Sequence, residues 1–114
     1  MQYALLIYPN PKAEEGLPET DRSAITAEYM AIRADARIRG GAQLEPVEMT
    51  TTVRVEAGKR LVTDGPFADT KEVFGGFFLF EADDLDAAID LAGRLPAARL
   101  GGWVEIRPVV ERPA

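Results

Sequence analysis

The stretch VFGGFFLFEA, Val73 to Ala82, carries apolar side chains on both of its alternating faces, broken by Gly75 and Gly76. Side chains of a strand point to opposite faces in turn, so this pattern predicts a strand covered on both sides. A glycine pair at the head of such a strand marks a bulge or the close approach of another group. The N-terminal run repeats the pattern, with Tyr3, Leu5 and Ile7 on one face and Ala4, Leu6 and Tyr8 on the other. The sheet that holds these two strands therefore has two faces to bury.

The segments between and around them supply the rest. Pro9, Asn10 and Pro11 end the first strand, and 12–19 reads as a polar loop. A helix is predicted over 21–39, capped by Thr20 or Asp21, with Ile25, Tyr29, Ile32 and Ala36 as its apolar stripe and Gly40-Gly41 as its stop. Glu28, Arg33, Arg37 and Arg39 then form a solvated face. Residues 43–49 read as a short, irregular strand because of Pro46. Thr51 to Glu56 and Arg60 to Thr63 flank the turn Ala57-Gly58-Lys59 as a hairpin, with Val53 and Val55 on one side. A second helix opens at Asp83, with Asp86 in capping-box spacing and Leu85, Ala88, Ile89, Ala92 and Leu95 as its stripe. Trp103 to Val110 alternates as a last strand. The order is β-α-β-β-α-β with an inserted β-hairpin, which predicts a ferredoxin-like α+β sandwich forming one domain over 1–114. Two helices cover only one face of such a sheet, so a second subunit is expected on the other: a homodimer.

Composition bounds the chemistry. The chain has 114 residues, 46% of them hydrophobic, and 13 basic against 19 acidic side chains, a net charge of −6. An acidic chain with no basic stripe among aromatics is a poor nucleic-acid binder. Cysteine and histidine are both absent and Ser23 is the sole serine. Thiolate chemistry, zinc-finger and iron–sulfur ligation and Ser-His-Asp triads are thereby excluded. Oxygen ligands alone remain for a metal, and the cluster Asp83, Asp84 and Asp86 is explained by a helix N-terminus, so no metal site is assigned. No dinucleotide or phosphate-loop glycine pattern occurs, and no cofactor is expected. The longest N-terminal apolar run, Tyr3 to Tyr8, is too short for a signal peptide or a membrane span, which gives a cytoplasmic, membrane-free expectation.

The densest turn chemistry lies in DGPFADTKEVFGG, Asp64 to Gly76. Gly65 precedes a proline and tolerates positive φ, Asp64 can accept from nearby backbone N–H groups, and Phe67 is placed to pin the loop. Read from the residues alone, this is a rigid turn with a solvated charge cluster, or a loop that contacts a ligand. DGPFADTKE, the following GG, the preceding TTVRV and RLVTDGPF, and the terminal VEIRPV resemble the DGPF-domain family within the YCII-related proteins, over nearly the whole chain from Tyr3 to Val109. The resemblance implies a ferredoxin-like fold of the dimeric α+β barrel type, sheet against sheet, and a link to extracytoplasmic-function sigma factors. Broader YCII relatives carry a His–Asp pair, and this chain has no histidine to complete it.

Three functions follow as expectations. The first is a dimeric protein binding an unknown small molecule, with Asp64, Lys71, Glu72 and Arg107 as its charges, Tyr8, Phe67 and Phe78 as apolar walls, and Gly65, Pro66, Gly75 and Gly76 shaping the pocket. The second is a carboxylate enzyme with Asp64 as general base. The third is a regulatory protein-interaction partner.

Overall fold

The computed structural model describes residues 1–66 and 73–112. The first strand forms over Gln2–Tyr8 (β1), and its alternation is realised literally, with Tyr3, Leu5 and Ile7 buried and the residues between them half-buried. Two helices follow, Pro11–Glu14 (α1) and Glu19–Arg33 (α2), then a strand over Ile38–Gln43 (β2). A 3-10 turn at Val47–Met49 leads to the hairpin Thr51–Glu56 (β3) and Lys59–Asp64 (β4). The phenylalanine-rich strand spans Gly76–Glu81 (β5), followed by Leu85–Gly93 (α3), Pro96–Arg99 (α4) and Trp103–Pro108 (β6).

Four strands make one antiparallel sheet in the order β2-β5-β1-β6, while β3 and β4 pair only with each other. This is the expected ferredoxin-like α+β sandwich with its hairpin inserted. The doubly apolar strands β1 and β5 are central, paired from Gln2 opposite Glu81 to Ile7 opposite Gly76. Their helix-side residues Leu5, Phe78 and Phe80 pack with Ile32 of α2 and with Ala88, Leu91, Ala92 and Leu95. Burial at that density is the main source of stability in a chain of this size. Among the described residues no helix is long and apolar enough to cross a membrane.

Three expectations are corrected. The first long helix ends at Arg33, not at 39, because Asp35 offers the backbone a better partner: its carboxylate accepts the Arg37 N–H at 2.9 Å and the Arg37 guanidinium at 2.9 and 3.1 Å. Arg37 thereby lies beyond the helix assigned to it; it stays exposed, and its guanidinium sits over the Phe80 ring, 4.9 Å from the centroid. Gly40 and Gly41 are strand residues. At Gly41, with φ +152°, a Cβ would strike the Phe77 carbonyl and sit 2.8 Å from the Phe78 ring, so the glycine allows the edge strand to close on β5. Second, 43–49 is not a strand; Pro46 instead precedes the 3-10 turn. Third, the later helix is capped by Asp84, whose carboxylate accepts the Ala87 N–H at 2.9 Å. It buries Ala88, Leu91 and Ala92, with Leu95 just beyond, and leaves Leu85 and Ile89 about half exposed. Leu91 thus takes the core place expected of Ile89.

The Asp35 turn makes a pH prediction. Hydrogen bonds from Arg37 hold its carboxyl down to about 2, below the ordinary value of about 3.9. A carboxyl lowered in the folded state stabilises fully above its unfolded value, and that contribution disappears as pH falls through the folded one. Asp35→Ala should lower Tm at pH 7 by about 4–8 °C, the shift expected for one such interaction. The variant should also lose less stability than the parent between pH 4 and pH 2, as read by thermal denaturation across that window.

Candidate functional site

Positions 76, 78 and 80 of β5 share the helix-side face, and two of them carry phenylalanine while the first is glycine. Over that missing side chain lies a half-open cavity of about 450 Å³, bordered by α1 and α2. Its floor is Ile7, Gly76 and Phe78, its wall is Ile25 and Tyr29 of α2, and Glu14, Arg22 and Arg33 stand around its mouth. The volume falls in the range of small-molecule sites, about 300–1,000 Å³.

Local structure explains each wall. Gly76 lies against the edge strand so closely that a Cβ would sit 2.7 Å from the Ala42 carbonyl oxygen, and at Gly75 a Cβ would meet the Pro9 ring at 2.8 Å. The glycine pair therefore lets β2 and the Pro9 turn approach β5. Tyr29 is fixed by its hydroxyl, which accepts the Ala97 N–H at 3.1 Å. Burial pushes that hydroxyl's pKa up, so it stays protonated at neutral pH. Among the described residues no ion pair engages Glu14, Arg22 or Arg33. The site thus offers an apolar slot with two guanidinium groups and a carboxylate at its entrance. Among the described residues no group of acidic side chains is gathered that could hold a metal ion.

The residues singled out from sequence fall in three places. Gly75, Gly76 and Phe78 line the cavity. Tyr8 and Arg107 lie on the opposite, open face of the sheet, where Tyr8 stacks on Trp103 at 5.4 Å and meets Phe74 at 5.6 Å. Arg107 pairs in register with Ala4, four residues down β1 from Tyr8. Asp64, Gly65 and Pro66 sit at the base of the hairpin, away from the cavity. There Gly65, at φ +90°, donates its N–H to the Thr50 carbonyl at 2.7 Å, and its own carbonyl accepts the Thr52 hydroxyl at 2.6 Å. Phe67, Lys71 and Glu72 lie outside the described residues. Sequence reasoning passed over Ile7, Ile25, Tyr29, Glu14, Arg22 and Arg33. The glycine pair announced a close approach at this spot, and Phe78 in the strand that follows it was the one wall residue expected from the sequence.

With that geometry in place, comparison with known proteins is informative. The YCII-related domain profile matches residues 1–112. The chain belongs to the YCII-related family. An uncharacterized protein of Rhizobium meliloti (strain 1021) is 35% identical over 117 residues, covering 96% of this chain and 92% of the relative. Among solved structures, the 5-chloro-2-hydroxyhydroquinone dehydrochlorinase of Burkholderia phenoliruptrix AC1100, in complex with 2,5-dihydroxybenzoquinone, superposes with a TM-score of 0.55 at 16% identity, covering 98% of this chain and 96% of that one. At that identity the likeness is one of fold.

The role given to Gly76 has a direct test. Gly76→Val should push the edge strand off β5 and overpack the cavity floor, a class of change that costs about 1–3 kcal/mol. Tm should fall by roughly 5–20 °C. Hydrogen exchange should show lost protection at the amides of β2 before those of β1.

Proposed function

We propose that this YCII-related protein is a homodimeric, cytoplasmic small-molecule-binding protein that takes a single-ring organic anion into the cavity beneath α2. The observation that carries the reading is the cavity itself, an apolar slot of about 450 Å³ with Arg22 and Arg33 unpaired at its mouth. An unpaired guanidinium beside an apolar cleft favours a planar ligand with an ionised oxygen, which it can hold by charge-assisted, bidentate hydrogen bonds. The fold neighbour holds a hydroxylated quinone, a planar ring with acidic hydroxyls, and that class fits the slot in size and charge. The dimer follows from the open sheet face, where Leu6, Phe77 and Leu79 have no helix above them.

A carboxylate-dependent reaction is the second reading. For a ligand in this cavity the carboxylate within reach is Glu14, which stands at the mouth, whereas Asp64 does not line it. Glu14 would act as the general base, and Arg22 and Arg33 would hold the developing anion.

Calorimetric titration with 2,5-dihydroxybenzoquinone, and with its uncharged dimethyl ether as control, tests the binding. The hydroxyquinone should bind and the ether should bind at least tenfold more weakly. Arg33→Ala should weaken the hydroxyquinone by about 10-fold or more, the scale of a lost hydrogen bond to a charged group. Thr26→Trp, which fills the cavity from α2, should abolish it, and Asp64→Ala should leave it unchanged. A folded parent protein that binds neither compound, or a Thr26→Trp protein that binds as well as the parent, would overturn the assignment.

A further inference from the structure

The hairpin of β3 and β4 stands apart from the body. No element packs on it extensively, and Val53, Val55, Leu61 and Val62 are all exposed, Val62 by 60%. The radius of gyration is 16.3 Å, against about 13 Å for a compact chain of this length. The molecule is a plate 46 × 45 × 19 Å, so the arm extends sideways rather than folding back over the two layers. A lone two-stranded hairpin is marginally stable in water.

Pairing across the arm sets its faces. Val53 opposes Val62, Val55 opposes Arg60 and Thr51 opposes Asp64, so one face carries three valines between Arg60 near the tip and Asp64 at the base. The open face of the sheet carries a margin on β6 with apolar and charged residues of its own, where Trp103, Glu105 and Arg107 pair with Tyr8, Leu6 and Ala4. Among the described residues Arg60, Asp64, Glu105 and Arg107 make no ion pair. Each surface thus presents an apolar strip with two unpaired charges of opposite sign.

We infer that each arm lies valine face down along the β6 margin of a second copy's open sheet face, with Asp64 and Arg60 meeting the partner's Arg107 and the partner's Glu105. This rests on the homodimer proposed above and specifies how it is held. Charge selects the body of a second copy over a second arm. Residues 51–64 hold Arg54, Lys59 and Arg60 against Glu56 and Asp64, so the arm is net positive on a chain whose total is −6. Area points the same way. Strand rise and spacing give the arm face about 200 Å² and the open sheet face about 400 Å². The arm thus adds about half again to the surface the sheet face can bury, bringing it to about 600 Å² of the roughly 800 Å² that each partner of a standard-size complex buries. Asp64 thereby becomes an interface residue that the DGPF turn holds in position at the arm's base.

The absence of cysteine makes the test clean. Val62→Cys and Glu105→Cys proteins are prepared separately, mixed, and treated with a short bis-maleimide, so that only contact between chains links arm to β6. Sedimentation equilibrium is run on the parent, on Val62→Asp, and on Asp64→Arg with and without Arg107→Asp. The expected result is a dimeric parent and an arm-to-β6 cross-link. The dimer Kd should rise at least tenfold in Val62→Asp and in Asp64→Arg, and be restored toward the parent by the second reversal. Val62 is exposed in the single chain, so its variant keeps the monomer fold, checked by circular dichroism. A monomeric parent at all concentrations overturns this inference and the homodimer together. A dimeric parent that gives no cross-link and ignores Val62→Asp overturns the arm contact alone.

Discussion

A sheet whose two central strands are apolar on both faces must be dried on both, and this chain carries helices for one. That imbalance organises the molecule. On the helix side, Leu5, Phe78 and Phe80 are sealed by Ile32, Leu91 and Leu95 into a continuous core. On the other side, Leu6, Phe77 and Leu79 are only half-buried by their strand neighbours, with Tyr8, Trp103 and Phe74 clustered at one end. The hydrophobic effect does not distinguish which chain supplies the cover. The protruding arm belongs to the same account, since among the described residues no element packs on its valines and no helix covers the open face.

Most of the fold was legible because it is written in periods. The alternation in 2–8 and 76–81, the turn at Ala57-Gly58 and the spacing of Ala88, Ala92 and Leu95 each have a local cause, and the strand order follows from joining them. The passage from α2 to β2 was not legible for an equally local reason. Ile25, Tyr29, Ile32 and Ala36 continue a helical stripe past the true end, and nothing in that stripe reveals that the Asp35 carboxylate will cap the Arg37 N–H instead. Gly40-Gly41 then looked like a stop signal, because glycine serves a helix terminus and a close strand approach equally well, and only the position of Phe77 and Phe78 decides between them. Ile89 and Leu91, two residues apart, lie on nearly opposite sides of the helix, and which of them is buried depends on the direction from which the sheet approaches.

The candidate site was legible only along β5, in its glycine pair and in Phe78. Gly75-Gly76 marked a place where something comes close, and the cavity opens there. Its other walls were hidden because a wall residue and a core residue have the same sequence signature. Ile25 and Tyr29 belong to a stripe that reads as core throughout, and what separates the cavity half from the packed half is whether β5 presents a glycine or a phenylalanine beneath it. The charged rim was hidden too, since Arg22 and Arg33 resemble any solvated helix arginine until a cleft is found beside them.

Asp64, Gly65 and Pro66, the described part of the DGPF turn, do not line the cavity, and that separation bears on how the motif is understood. Dense turn chemistry in a sequence invites a catalytic reading, because sites concentrate on loops held by rigid scaffolds. Here the described part of the turn spends its hydrogen bonds on the arm: Gly65 ties to Thr50 and Thr52, closing the base of the hairpin. Closing the base fixes the register of β3 on β4, which puts Val53 opposite Val62 and Thr51 opposite Asp64 on one face. A one-residue slip would send that set to the other side. In the arrangement proposed, the turn therefore serves assembly first, by deciding which face of the arm is apolar and where its carboxylate stands. In the same proposal a ligand falls to a different pair of neighbours, a glycine in β5 and the helix above it.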